Sequence, residues 1–414
     1  MEPAPVLRMP DSLRRSLFIF STVGFGLAVS IVWLFYRPAN DLYDVTQHPL
    51  ARDFVNIWSA PQIISRYGTQ MLFDFSHYYL AVGELFRSGV PDYSFIWSYP
   101  PTMLLFAEPF SLLPYQSAAL VWTLSGFALY GAVVLARLPP SDRTIGLLAL
   151  SVAPATIINT VVGQNGFFTA ALVLSAVVCL DRRPWLAGAL FGLLTVKPQL
   201  GLLVPVALLS IGAWRTMASA AITGTCLVAA SVMFWGLEPW INWVTRTSPY
   251  VYDVVATFRA LHGYMMPSVF ASMRDLEFSP AIANVTQGLV TLLVIPAVFV
   301  GFRKSQDISL RALLLCCGSL LTTPYAFNYD MTAVTGAILW MLASGAPIKR
   351  WQIAVFGVVW VLPAAIYILN GLRLGAAAML IGATLIVALM RIYEDAQRKT
   401  YGIPVGSVPT PRWV

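Results

Sequence analysis

Apolar stretches of eighteen or more residues recur along the chain from residue 16 to residue 391, separated by short polar joints. A run of that length, helical at about 1.5 Å per residue, crosses the ~30 Å hydrocarbon core of a bilayer. Lipid offers no partners for backbone N–H and C=O groups, so such runs fold as helices. The pattern predicts about twelve of them, over 16–36, 115–137, 144–162, 165–181, 184–197, 198–214, 216–236, 279–301, 309–325, 328–346, 351–369 and 373–391. The run 103–113 is too short to cross and contains Glu108 and Pro109, so it reads as a re-entrant or interfacial piece. Lys197-Pro198 interrupts 184–214, which is either a hairpin of two short helices or one kinked helix.

The expectation is an all-α polytopic membrane protein with one membrane domain over 16–391 and terminal tails 1–15 and 392–414. The two long loops, 37–102 and 237–278, are expected to carry interfacial helices. Composition agrees: 58% of the 414 residues are hydrophobic and 11% charged, against about 25% charged in soluble domains. This excludes a soluble enzyme on a simple anchor.

A net charge of +7 raises the question of nucleic acid. The basic residues are instead scattered in small groups at the ends of apolar runs, so the expected partner is the lipid bilayer and no nucleic acid. Arg8, Arg14 and Arg15 precede the first run, and Arg137/Arg143, Arg182/Arg183, Arg215, Arg303/Lys304, Lys349/Arg350 and Arg391/Arg398/Lys399 follow at alternate joints. By the positive-inside rule both termini are expected in the cytoplasm, and the long loops on the opposite face of an inner (plasma) membrane. The first run lacks a small-x-small cleavage site, so it is expected to stay as the first helix.

Cys179, Cys226, Cys316 and Cys317 all fall inside apolar runs and read as small core residues. Three widely spaced histidines, 48, 77 and 262, do not make a metal site. There is no phosphate-binding glycine loop, zinc-spaced His/Cys set or GxSxG.

The unusual polar residues gather toward the long-loop face, where ionisable groups near hydrocarbon are site candidates. Of Asp41, Asp44, Asp53, Asp74 and Asp92 in the first loop, Asp53 is distinctive, because Phe54, Ile57, Trp58 and Ala60 follow at helical spacing. That amphipathic segment would seat its aromatic edge at the interface and present Asp53, beside Arg52, as a general base. Alternatively, Asp53 simply caps the helix 54–66. Tyr99-Pro100-Pro101 reads as an elbow, with a lining role for Tyr99 secondary. Gln164 and Asn165 in GQNG suit sugar hydroxyls, or form only a tight turn. Lys197, beside a helix-breaking proline, could neutralise a lipid phosphate or snorkel to the interface. Arg259 and His262 could grip a phosphate and protonate a leaving oxygen, or belong to a solvated loop helix. Tyr325, Asn328 and Asp330 stand at the mouth of a late span, where Asp330 could cap a helix.

The order and common face of DFVNIWSA, YPP, GQNG, KPQ and PYAFNYD resemble glycosyltransferase family 87, which includes polyprenol-phosphate-mannose-dependent mannosyltransferases. The resemblance covers most of 16–390 and implies a GT-C-type bundle with its active site at the extracytoplasmic interface. It implies an inverting transfer of a mannose-like hexose from a polyprenyl-phosphate donor to a lipid or glycan acceptor. Asp53 would be the base, with Lys197, Arg259 and His262 on the donor phosphate. Trp58, Tyr99, Gln164, Asn165, Tyr325, Asn328 and Asp330 would line the sugar and acceptor. Cationic side chains can stabilise a phosphomonoester leaving group, so no metal and no cofactor are expected. Where relatives show an Asn-Gln-Ser-like element, this chain has Met266-Pro267-Ser268, which leaves sugar and acceptor open. The rival reading is a transporter or lipid flippase, which would place ionisable groups near the midplane and on both sides of it.

Overall fold

The computed structural model describes residues 9–39, 43–86, 95–257 and 263–401. Among them the regular structure is helical, apart from two isolated bridges in the first loop, Pro38 with Asp44 and Tyr43 with Pro49.

Among the described residues six helices are long and apolar enough to cross a membrane: Asp11–Phe35, Tyr115–Ala136, Trp214–Trp235, Pro280–Lys304, Arg350–Gly371 and Ala377–Arg398. A seventh crossing is available if Pro140–Ser151 and Pro154–Val162, bent by 50° at their break, count as one span. Six or seven helices of the described residues, and not the expected dozen, have that length and composition. The other predicted spans become the shorter helices Gly166–Cys179, Pro184–Val196, Pro198–Ser210, Ile308–Thr322 and Thr332–Ala343.

The difference has a physical cause. Hydropathy counts apolar residues and is blind to chain breaks, and here Gly163 (φ 70°) and Lys197 (φ −147°) end helices inside long apolar stretches. A helix enclosed by protein also has no need to match the bilayer. All of Thr332–Ala343, and all of Ile308–Thr322 except its first residue, is buried. Trp214–Trp235 is the opposite case, with 11% of its most apolar window buried. It touches Pro184–Gly192 across glycines, since a Cβ on Gly188 would lie 2.3 Å from the Thr216 carbonyl oxygen.

The segment 184–214 resolves as a hairpin of two short helices. Pro184 and Ser210 line one cavity, while Lys197 at the tip reaches Asn165 and Asp330 at the other end of the bundle.

The first loop folds on a second apolar core. Helices Phe54–Tyr67, Phe75–Leu85 and Thr102–Ser111 enclose Phe54, Ile57, Ile63, Trp97 and Leu104 against Trp122. The expectation that Phe54 and Ile57 seat the segment at the lipid interface is corrected: they are 0% and 1% exposed. The Phe54 ring is enclosed by Phe110, Tyr115 and Trp122, contributed by sequence-distant elements that local periodicity cannot connect. The short run 103–113 supplies the covering helix Thr102–Ser111.

Basic joints meet acidic partners at the end remote from Asp53. Asp142 accepts from the Met9 N–H at 2.8 Å and pairs with Arg14, Arg311 pairs with Asp181 at 3.1 Å, and Lys349 with Glu394 at 2.6 Å.

Candidate active site

Asp53 immediately precedes the helix Phe54–Tyr67, yet it does not cap it. Its backbone is already helical (φ −77°, ψ −19°) and its side chain makes no cap hydrogen bond, whereas a capping residue adopts extended geometry. Its N–H donates to the Val162 carbonyl at 2.9 Å, and its carboxylate accepts from Gln164 Nε2 at 2.7 Å.

The GQNG turn makes this contact possible. Gly163 ends Pro154–Val162 in the left-handed region, and a Cβ there would lie 2.6 Å from the Ala51 carbonyl oxygen. Only glycine lets the Ala51–Asp53 strand of backbone approach so closely. Gln164 is then held at every polar atom of its side chain. Its Oε1 accepts from Tyr99 Oη at 2.8 Å and from the Asn165 N–H at 3.3 Å, leaving Nε2 for Asp53. Trp122 Nε1 donates to the Gln164 backbone carbonyl at 3.3 Å.

Arg52 does not serve as the countercharge expected for Asp53. Its Nε donates to Asp44 at 2.8 Å, and its Nη2 to the Phe35 carbonyl at 2.5 Å and Thr46 Oγ1 at 2.8 Å. The guanidinium carbon lies 4.1 Å from the Tyr36 ring centroid. Consecutive residues at a helix start point about 100° apart, which separates Arg52 from Asp53 despite their adjacency. The Tyr36 hydroxyl in turn meets the Tyr367 hydroxyl at 2.8 Å.

Lys197 sits at the non-helical tip of its hairpin, 4% exposed. Its ammonium donates to Asp330 Oδ1 at 2.5 Å and Asn165 Oδ1 at 3.2 Å, and stands 4.7 Å from the Tyr329 ring centroid. An ammonium has three donors, so one is left over. Asp330 also accepts from the Phe327 N–H at 3.0 Å, so it closes the turn Asn328–Met331 and not the helix Thr332–Ala343. Asn165 Nδ2 is buried with no hydrogen-bond partner among the described residues.

Tyr99, Gln164, Asn165, Lys197 and Asp330 thus form one hydrogen-bonded cluster with Asp53. Tyr325 adjoins it: burial pushes its phenol up to about 12, and burial with the nearby Asp53 charge raises that of Tyr99 well above its usual value. The Tyr99 phenol is accordingly the donor in its hydrogen bond to Gln164 Oε1.

Two predicted residues stand apart. Trp58 is five positions along the helix, about 140° around it, with its indole N–H on the Leu113 carbonyl at 2.8 Å and its ring against Phe86 and Tyr115. Asn328 is fully buried, its N–H donating to the Met265 carbonyl at 2.9 Å and its Nδ2 to the Pro363 carbonyl at 2.8 Å. It ties the second loop to the helix Arg350–Gly371. Arg259 and His262 lie outside the described residues.

The sequence reading missed Tyr329, which flanks Lys197 and lies within the PYAFNYD motif next to Asp330. It also missed the Asp44–Arg52 pair, for which no spacing in the sequence gives a signal.

A half-buried carboxylate aimed by an amide, a buried ammonium with a spare donor and an unpartnered amide N–H suit proton abstraction from a hydroxyl beside an anion. The family model of glycosyltransferase family 87 matches residues 97–324, more than half of the chain. No curated protein and no solved structure matches it. The matched segment holds Tyr99, Gln164, Asn165 and Lys197, and the hydrogen bonds above join these to Asp53 and Asp330 outside it. The chain therefore belongs to glycosyltransferase family 87 and is a multi-pass membrane glycosyltransferase.

Proposed function

We propose that the protein transfers a mannose-like hexose from a polyprenyl-phosphate donor to a lipid or glycan acceptor, with inversion, at the extracytoplasmic face of the plasma membrane. Asp53 takes the proton of the acceptor hydroxyl as that oxygen attacks the anomeric carbon. The bond to the polyprenyl phosphate breaks on the opposite side, and the departing oxygen carries the charge. Lys197, through its remaining donor, faces that phosphate, while Asn165 Nδ2 meets a sugar hydroxyl. Arg259 and His262 take phosphate-binding roles on the family resemblance alone.

The observation that carries this reading is the hydrogen bond from Gln164 to Asp53 at 2.7 Å. A capping carboxylate would turn to its own helix, whereas this one is aimed by a residue 111 positions away. A lipid-borne donor is supported by the depth of the cluster, since a donor held in the bilayer reaches that level by lateral diffusion. The basic joints at the remote end support cytoplasmic termini.

The test is Asp53→Asn in membranes supplied with a radiolabelled polyprenyl-phosphate sugar. Transfer is expected to fall by about a hundredfold or more, with normal expression. A variant that transfers at the wild-type rate overturns the mechanism.

A further inference from the structure

A cavity of about 630 Å³ opens at the end of the bundle remote from Asp53. The helix Gly166–Cys179 starts at the Asp53 cluster and leads to Leu180 and Asp181 in the cavity wall, and Ile308–Thr322 runs from Arg311 in that wall back toward Tyr325. The two places are thus opposite ends of the same helices.

Three arginines line the cavity, Arg215, Arg303 and Arg311, against one aspartate, Asp181. Arg311 is 4% exposed and fully engaged, with Nε on the Ser305 carbonyl at 2.7 Å and Nη1 on both Asp181 oxygens at 3.1 and 3.3 Å. Asp181 is thereby neutralised. Among the described residues Arg215 and Arg303 have no ion-pair partner and both are exposed, so two positive charges remain over the cavity.

The same wall is formed by the start of the 22-residue helix Trp214–Trp235, whose preceding residue, Ala213, supplies no side-chain cap. The Trp214 N–H donates to the Gly212 carbonyl at 2.9 Å, and the N–H groups of Arg215 and Thr216 that follow have no carbonyl of their own helix to bond. Thr216, fully buried in that turn and also lining the cavity, has a hydroxyl without a hydrogen-bond partner. Two free guanidinium groups, an uncapped helix start and an orphaned buried hydroxyl all call for the same complement, a compact anion rich in acceptor oxygens. Trp214 lines the cavity at 64% exposure, and Trp185, next to the lining residue Pro184, is 55% exposed, as indoles are at headgroup depth.

The geometry points to a phosphate-group binding site at this end of the bundle, held by Arg215, Arg303 and the first turn of Trp214–Trp235. Its ligand is a phosphomonoester or phosphodiester group, either on a lipid headgroup or free in solution.

Full-length protein in neutral-detergent micelles, titrated with phosphatidic acid or with inorganic phosphate and followed by thermal unfolding, tests the site. At least one probe is expected to raise the unfolding temperature saturably. The Arg215→Gln/Arg303→Gln double variant is expected to bind about tenfold more weakly. Both side chains are exposed and unpaired, so the fold does not depend on them. The Arg182→Gln/Arg183→Gln variant removes the same charge beside the cavity, and is expected to bind as the wild type does. Saturation by phosphatidic acid alone assigns the site to a lipid headgroup, and saturation by inorganic phosphate as well shows that the phosphate suffices. Binding by neither probe, or equal loss in both double variants, overturns the proposal.

Discussion

Gln164 donates to Asp53 at 2.7 Å while its own oxygen accepts from the Tyr99 hydroxyl at 2.8 Å. With the amide oxygen taken by donors, the NH2 group has one direction in which to point, toward the carboxylate. Tyr99 thereby orients Asp53 without touching it, and Gln164 is the positioning residue between them. Gln164→Ala is expected to lower kcat by about tenfold or more with KM little changed. Tyr99→Phe should show the same pattern with a smaller loss. Initial rates over a range of donor concentrations separate the two constants, and an effect confined to KM would show that Gln164 holds substrate instead.

Because Asp53 makes no cap hydrogen bond, its role in stability differs from that of an aspartate that does. Asp307 accepts from the Leu310 N–H at 2.8 Å at the start of Ile308–Thr322. Asp307→Ala is expected to cost about 1 kcal/mol, while Asp53→Asn, which keeps an acceptor oxygen for Gln164 Nε2 and has no cap to lose, should unfold close to the wild type. Thermal unfolding in detergent compares them, and equal losses would restore a structural role for Asp53.

Lys197 and Asp330 are both buried, so removing either leaves the other uncompensated. Lys197→Met and Asp330→Leu are each expected to cost about 3–5 kcal/mol. The double variant should cost clearly less than the two losses combined, because the orphaned charge is gone. A double-mutant cycle on unfolding free energies measures the coupling, and additive losses would mean that the two groups act independently.

Gly163→Ala places a methyl group 2.6 Å from the Ala51 carbonyl and 2.8 Å from the Phe54 Cβ at a φ of 70°. The expected cost is about 2 kcal/mol or more. Activity should fall beyond what stability explains, since the displaced backbone carries Asp53. Gly131→Ala is the control, at a position where a Cβ meets nothing within 4 Å.

Much of the site was legible in the sequence because its members break local rules. A lysine beside a proline in an apolar run, a polar pair between glycines and an aspartate ahead of aromatic residues each violate the surrounding pattern, and Lys197, Gln164 and Asp53 do come together. What stayed hidden depends on contacts between distant segments. Trp58 looked like a site residue because it shares a motif with Asp53, yet helix geometry turns it toward Phe86 and Tyr115. Arg52 looked like a neighbour of Asp53 and is held by Asp44, Thr46 and the end of the first long helix. The fold class followed from hydropathy alone. The number of crossings did not, because an apolar stretch reads the same whether it runs through lipid or stops inside protein.

The helix Gly166–Cys179 has 14 residues, so it rises about 21 Å through a hydrocarbon layer of ~30 Å. If its Cys179 end lies at one headgroup level, its Asn165 end stops roughly 9 Å short of the other. The Asp53 cluster is then sunk below the membrane surface, beside the apolar core of the first-loop helices. On the proposed reaction, a donor anchored by its isoprenoid tail would travel only sideways and slightly inward to deliver its phosphate there, whereas an acceptor arriving from water would have to be narrow enough to descend. The depth of the floor would then select acceptors by width before any hydroxyl is recognised.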